Sequence, residues 1–186
     1  MAGKRDDRRV EFTKMLLRES LAGLMRSKPI QKITIKEICE TAALNRGTFY
    51  SHFSDQYDLL RHTEDVEMET VGKFVMRIAT GSMAEREPLC AELFRHIREH
   101  SGVWGSLLSE NGSADFSRRM FDKLFSDLVE AGVCRTDDPS FKLRFTFLMV
   151  GCIGMASRWL PEEPTVSPEQ MGKILYGILS ENILGG

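Results

Sequence analysis

Residues 33–60 read ITIKEICETAALNRGTFYSHFSDQYDLL, a stretch cut into short helices by three successive N-terminal caps. Thr34, followed three residues later by Glu37, makes a capping box in which hydroxyl and carboxylate satisfy each other's backbone amides. Ile35, Ile38, Cys39 and Ala42 then recur at three- and four-residue spacing, which buries one stripe of this helix. Asn45 caps a second helix that opens with Arg46, Gly47 and Thr48. Asp55 caps a third, with Asp58 in its first turn to complement the helix dipole.

The middle helix is the informative one. Phe49 and Phe53 lie four apart and face inward together, which leaves Arg46, Thr48, Tyr50, Ser51 and His52 pointing outward. Three capped helices in an ordinary bundle have no need of Tyr50 and His52 on an outward face beside Arg46. A helix-turn-helix whose second helix lies in a DNA groove does. The expected DNA-facing set is Thr34, Lys36, Asn45, Arg46, Gly47, Thr48, Tyr50, Ser51 and His52. Within it, the Arg46 fork suits a guanine edge or a phosphate. Thr48, Tyr50 and His52 supply hydrogen bonds, Lys36 and the Thr34 end of its helix anchor the backbone, and Gly47 allows close approach.

The stretch from Thr34 to Ala42, TI-x-x-I-x-x-x-A, and the run RGTFYSHF from Arg46 to Phe53, followed by Leu59 and Leu60, resemble the N-terminal domain of TetR-family transcriptional regulators. The variant TFY-x-HF-x-D-x-YDLL looks like the branch that includes regulators associated with dihydroxyacetone kinase operons. Strong resemblance covers the first third of the chain, with a weaker echo in Trp159-Leu160 and Ser167-Pro168-Glu169. It departs from the family at Ala43, where the helix-helix turn usually has Gly, and at Gln56, where a phosphate-binding Lys is usual. The resemblance implies a ligand-responsive repressor acting as a homodimer on a palindromic operator. The alternative within the same branch is a protein-binding coactivator that does not touch DNA itself.

Charge agrees with a two-part chain. Residues 1–62 carry 12 Lys and Arg against 8 Asp and Glu, a net +4, whereas the whole chain has net charge −2. The expected division is therefore a helix-turn-helix domain at 1–62 and a helical ligand-binding and dimerisation domain at 63–186. Lys4, Arg5, Arg8 and Arg9 read either as a disordered basic arm or as the first turn of helix 1. No signal peptide or bilayer-spanning run is seen. Cys39, Cys90, Cys134 and Cys152 are widely spaced without a CxxC, which fits reduced thiols in a cytoplasm.

No strand-like alternation of useful length occurs, so the expected class is all-α with about nine helices. Helix 1 is expected over Arg8–Ser27 with Phe12, Leu16, Leu17, Leu21, Leu24 and Met25 buried, and the helix capped by Asp55 is expected to run to about Ala79. Further helices are expected over Pro88–His100, Asp115–Ala131, Pro139–Leu160 and Pro168–Leu184, with a short turn around Val103 and Trp104.

Helix 139–160 is apolar around most of its circumference and must be buried on more than one side. Its own core takes one side and a two-fold partner the other, which suits a palindrome reader. The expected dimer residues are Met149, Cys152, Ile153, Met155, Met171, Ile174, Leu175 and Ile178. Phe94, Trp104, Met120, Phe121, Phe125, Phe145, Met149 and Trp159 are candidates to line a cavity for an unknown small-molecule effector, although such residues at helical spacing are more often plain core. His96 and His100, four apart, have metal-ligand spacing but no third ligand at a fitting offset. No nucleophile elbow, P-loop or dinucleotide fingerprint is present, so no enzyme, cofactor or metal is expected.

Overall fold

The computed structural model describes residues 3–112, 115–134, 139–161 and 165–182. Among them are nine α-helices and one 3-10 turn, with no strand, in keeping with the all-α expectation. Packing divides the chain into two units. Unit 1 comprises Met1–Val66 and Gly102–Ser113, and unit 2 comprises Glu67–Ser101 and Ala114–Gly186.

Unit 1 holds α1 (Gly3–Met25), the 3-10 turn Ile30–Lys32, α2 (Ile35–Thr41), α3 (Arg46–Tyr50), the first part of α4 (Gln56–Thr80) and most of α6 (Ser101–Leu107). Its core is Leu17, Leu21, Met25, Ile33, Ile38, Phe49 and Leu59, all almost wholly buried. Helix α1 begins at Gly3, so the segment from Lys4 to Arg9 is helical rather than an extended arm. Phe12, expected in the buried stripe, is 56% exposed. The reason is angular: five residues separate it from Leu17, about 140° around a 3.6-residue helix, so Phe12 turns away as Leu17, Leu21 and Met25 turn in.

The turn between α2 and α3 keeps its left-handed residue although glycine is missing. Ala43 has φ 53°, and its amide reaches the Glu40 carbonyl while that of Leu44 reaches the Cys39 carbonyl. A β-carbon in this conformation costs ~1–2 kcal/mol, against ~0.5–1 kcal/mol of unfolded-state entropy that a glycine adds. Ala43 is exposed and loses no packing. Ala43→Gly is therefore expected to raise stability by about 0.5–1 kcal/mol, seen as a higher urea midpoint at unchanged slope.

Unit 2 contains the rest of α4, α5 (Met83–Glu99), α7 (Phe116–Glu130), α8 (Pro139–Trp159) and α9 (Pro168–Asn182). Helix α5 starts earlier than its proline suggests. The Glu85 carboxylate accepts from the Ser82 amide and hydroxyl at 2.9 and 2.6 Å and fixes the start at Met83, which puts Pro88 inside the helix. Pro88 and Ala84 are both exposed, so water reaches the Ala84 carbonyl that proline cannot serve. Across unit 2, α5 and α9 approach so closely that Gly172 has Ala91 backbone where a side chain would begin.

Helix α8 has two apolar faces, as its composition demanded. Phe145, Leu148, Met149, Ala156 and Trp159 are buried, while Leu143, Phe147 and Val150 on the opposite face are 72%, 70% and 66% exposed. No helix among the described residues is long and apolar enough to cross a membrane.

Candidate nucleic-acid interface

Helices α2 and α3 are short, and their caps hold them. The Thr34 amide and hydroxyl donate to Glu37 Oε2 at 2.9 and 2.8 Å, and the Glu37 amide donates back to Thr34 Oγ1 at 3.3 Å. Asn45 Oδ1 accepts from the Thr48 amide at 2.8 Å and from its hydroxyl at 3.1 Å, and Ser51 Oγ donates to the Thr48 carbonyl at 2.7 Å. A β-carbon on Gly47 would sit 3.1 Å from that same Asn45 oxygen, so the glycine makes room for the cap.

These bonds sort the expected DNA-facing residues into two groups. Thr34, Asn45, Thr48 and Ser51 already spend polar atoms on one another or on backbone. Arg46, the Tyr50 hydroxyl and His52 are engaged by no hydrogen bond or ion pair among the described residues. Arg46 and Tyr50 are exposed, Tyr50 by 58%, and His52 is half-buried. Beneath them Phe49 and Phe53 are buried, with ring centroids 6.0 Å apart, and Tyr50 stands edge-on to Phe49 at 5.7 Å. The pins hold the backbone of α3 to its own core while three uncommitted side chains project outward.

Cations flank this surface. Lys36 lies 3.6 Å from Glu40, but both side chains are more than half exposed, so the pair is worth less than ~1 kcal/mol and yields readily to a phosphate. Lys32 is exposed in the 3-10 turn just before α2, a cation that the motif does not flag. The start of α4 is a poorer anion site. Asp55 Oδ1 accepts from the amides of Tyr57 and Asp58 at 2.8 Å each, and Asp58 Oδ2 takes the Ser54 amide at 2.9 Å. Carboxylates thus occupy the donors a phosphate would want, and Gln56 brings no charge.

Local electrostatics follow burial and neighbours. The Lys28 ammonium bonded to Glu37, with the Thr34 amide and hydroxyl after it, pulls the Glu37 carboxyl down to about 2. Burial raises the Cys39 thiol, opposed by nearby Arg46. Burial, then Lys14 and Arg18, push His62 below its ordinary value where its ring packs 5.3 Å from Phe53.

Residues 19–63 match the family model of bacterial regulatory proteins, tetR family. The fold is TetR-like. An uncharacterised HTH-type transcriptional regulator of Bacillus subtilis (strain 168), YxbF, is 20% identical over 182 residues, 92% of this chain. This chain spans 46% of that relative's length. A TetR transcriptional regulator from Streptococcus agalactiae 2603V superposes with TM-score 0.58 at 20% identity, covering 95% of this chain and 98% of its own. The dihydroxyacetone kinase operon activator DhaS superposes with TM-score 0.56 at 15% identity, covering 92% and 97%. The family match is confined to the helix-turn-helix segment, residues 19–63, and the superpositions show a TetR-like fold over most of the chain.

The remaining expected site residues lie elsewhere. Phe94, Met120, Phe121, Phe125, Phe145, Met149 and Trp159 fall in unit 2, and Trp104 in unit 1. Trp159 is thoroughly packed: Phe94 meets it edge-on at 5.6 Å, Arg98 covers its ring at 4.0 Å and its indole donates to the Val166 carbonyl. Phe121 and Phe125 are half-buried in a cluster with Phe141 and Phe145. Of the expected dimer residues, Met149, Met171 and Leu175 are buried within unit 2, Cys152, Ile153, Met155 and Ile178 are half-buried, and Ile174 is 48% exposed. Leu143, Phe147 and Val150 on α8 are large apolar side chains left exposed, as is Ile174 on α9. His96 points Nε2 at the buried Glu67 carboxylate, 3.0 Å away, while its ring lies 4.5 Å from that of His100. No group of three or more metal-ligating side chains is assembled among the described residues.

Proposed function

We propose that this chain is a sequence-specific DNA-binding transcriptional regulator, a ligand-responsive repressor that acts as a homodimer on a palindromic operator. The observation that carries the reading is the uncommitted trio Arg46, Tyr50 and His52 over the buried Phe49 and Phe53. Arg46 reads a guanine edge or grips a phosphate, Tyr50 and His52 donate to phosphates or bases, and Lys36 adds a backbone anchor. The run from Thr48 to Leu60 supports placing it in the dihydroxyacetone kinase regulator branch.

Arg46→Ala is expected to weaken binding to a duplex from the gene's own upstream region by ~1–3 kcal/mol and to relax preference at one base pair. An electrophoretic shift with a salt titration measures both. Unchanged affinity would remove Arg46 from the interface, and no shift by the parent protein would favour the coactivator reading.

The open face of α8 supports the homodimer. Three large apolar side chains at 66–72% exposure on one helix face are costly to leave in water. Phe147→Glu is expected to convert a dimer of the 21.1 kDa chain into monomer, read by light scattering. A parent protein that is already monomeric at micromolar concentration sinks this part of the proposal. For the effector, the half-buried phenylalanines of α7 and α8 suit a small apolar molecule, since rings not sealed into the core can open to admit one.

A further inference from the structure

We propose that Lys28 is a positioning residue for DNA binding: it grips Glu37 and so sets how α2, and the recognition helix behind it, is seated on the end of α1. The inference rests on the DNA-binding reading above.

The two oxygens of Glu37 divide their work. Oε2 closes the cap of α2 through the Thr34 amide and hydroxyl, whereas Oε1 accepts from Lys28 Nζ at 2.5 Å. The capping box is thus built onto a residue from the segment that follows α1. Both side chains are about one-third exposed, Lys28 27% and Glu37 37%, so water screens the pair only in part.

The anchor is itself held. The Lys28 amide reaches the Leu24 carbonyl at 3.3 Å, Ser27 Oγ reaches the same oxygen at 3.0 Å, and the Met25 carbonyl accepts from Asn111 Nδ2 at 3.2 Å. Downstream, the Leu44 amide to the Cys39 carbonyl at 2.9 Å and the Ala43 amide to the Glu40 carbonyl at 3.3 Å tie the turn to the end of α2. Helices α2 and α3 therefore follow one another. With only Ile38 and Cys39 buried on α2, the helix has few side chains to fix its rotation, and the Lys28 contact supplies what packing does not. With an ammonium N–H given to Glu37, Lys28 is assigned to α2 rather than to a phosphate, and the salt dependence below tests that assignment.

A double-mutant cycle tests this, using a duplex enriched by the parent protein from a randomised library. All variants are measured at a temperature where circular dichroism shows them fully folded. Lys28→Met and Glu37→Gln, the latter keeping an acceptor for Thr34, are each expected to lower affinity about fivefold, the scale of one partly exposed ion pair. The double variant should lose no more than either single one. Lys28→Arg should restore binding. The slope of affinity against salt should be unchanged in Lys28→Met, because no counterion-releasing contact is lost. Parental affinity in Lys28→Met, additive losses in the double variant, or a slope reduced by about one would each overturn the proposal, the last by making Lys28 a direct phosphate contact. If Lys28→Met does not fold, Glu37→Gln alone decides between loss and no loss. A parent protein that enriches no duplex brings down the DNA reading itself, a result separate from any behaviour of the variants.

Discussion

Phe49→Ala is expected to cost ~3–5 kcal/mol of stability in unit 1, while Tyr50→Ala, one residue along, is expected to cost under ~1 kcal/mol and to abolish tight DNA binding instead. The contrast follows from burial. Phe49 is 0% exposed and touches both Tyr50 and Phe53 with its ring. Its removal leaves a ring-sized cavity in the core of unit 1. Domains of this size have ~5–15 kcal/mol to lose, so such a cavity approaches the whole margin. Tyr50 is 58% exposed and loses one edge-to-face contact on truncation, worth at most ~1 kcal/mol. Urea unfolding of both variants, alongside shifts with the parental operator, separates the two roles. Similar stability losses at the two positions would mean that α3 has no distinct inner and outer face, and the recognition surface built on Arg46, Tyr50 and His52 would lose its support.

What could be read from the chain beforehand was mostly local. The capping box of Thr34 and Glu37, the Asn45 cap and the inward turn of Phe49 and Phe53 depend on offsets of three and four residues, and all stand as the spacing implies. Phe12 failed because its error was one of phase: an apolar residue at the edge of a stripe belongs to it only if the angle from Leu17 is small, and here it is not. Pro88 misled because helix breaking is costly where a carbonyl is buried, and this one is exposed. Helix α8 was harder for a deeper reason. An all-round apolar helix announces that two faces need partners, but which face takes the core depends on the helices packed against it, α7 among them, not on α8. Hence Met149 turns inward while Leu143, Phe147 and Val150 are the residues left open. Within the candidate interface, spacing identified which residues stand near the recognition helix. It did not show that Thr48 and Ser51 spend their hydroxyls internally, which singles out Arg46, Tyr50 and His52.

Gly172→Ala is expected to destabilise unit 2 by ~1–3 kcal/mol, against the usual gain of up to ~1 kcal/mol when a helical glycine becomes alanine. The sign is decided by what the new methyl would meet. A β-carbon at Gly172 would lie 2.5 Å from the Ala91 amide nitrogen and 2.6 Å from its Cα. These are backbone atoms of α5 and cannot swing aside as a long side chain would, so α9 has to move off α5 or strain. Gly177, on the same helix, is the control. Nothing lies within 4 Å of its would-be β-carbon, so Gly177→Ala should raise the melting temperature by the propensity term alone. Helix composition is the same in the two variants, and only the packing differs. Opposite shifts in Tm establish that α5 and α9 are in backbone contact at Gly172. Equal gains at both positions would show that α9 slides freely on α5. The outcome bears on function because Ile174, two residues and about 200° around the helix from Gly172, is 48% exposed and is one of the residues proposed to meet a second copy. A helix pinned on one side by a glycine-sized gap presents its opposite side at a fixed height, and a dimer that spaces two recognition helices on DNA depends on that constancy.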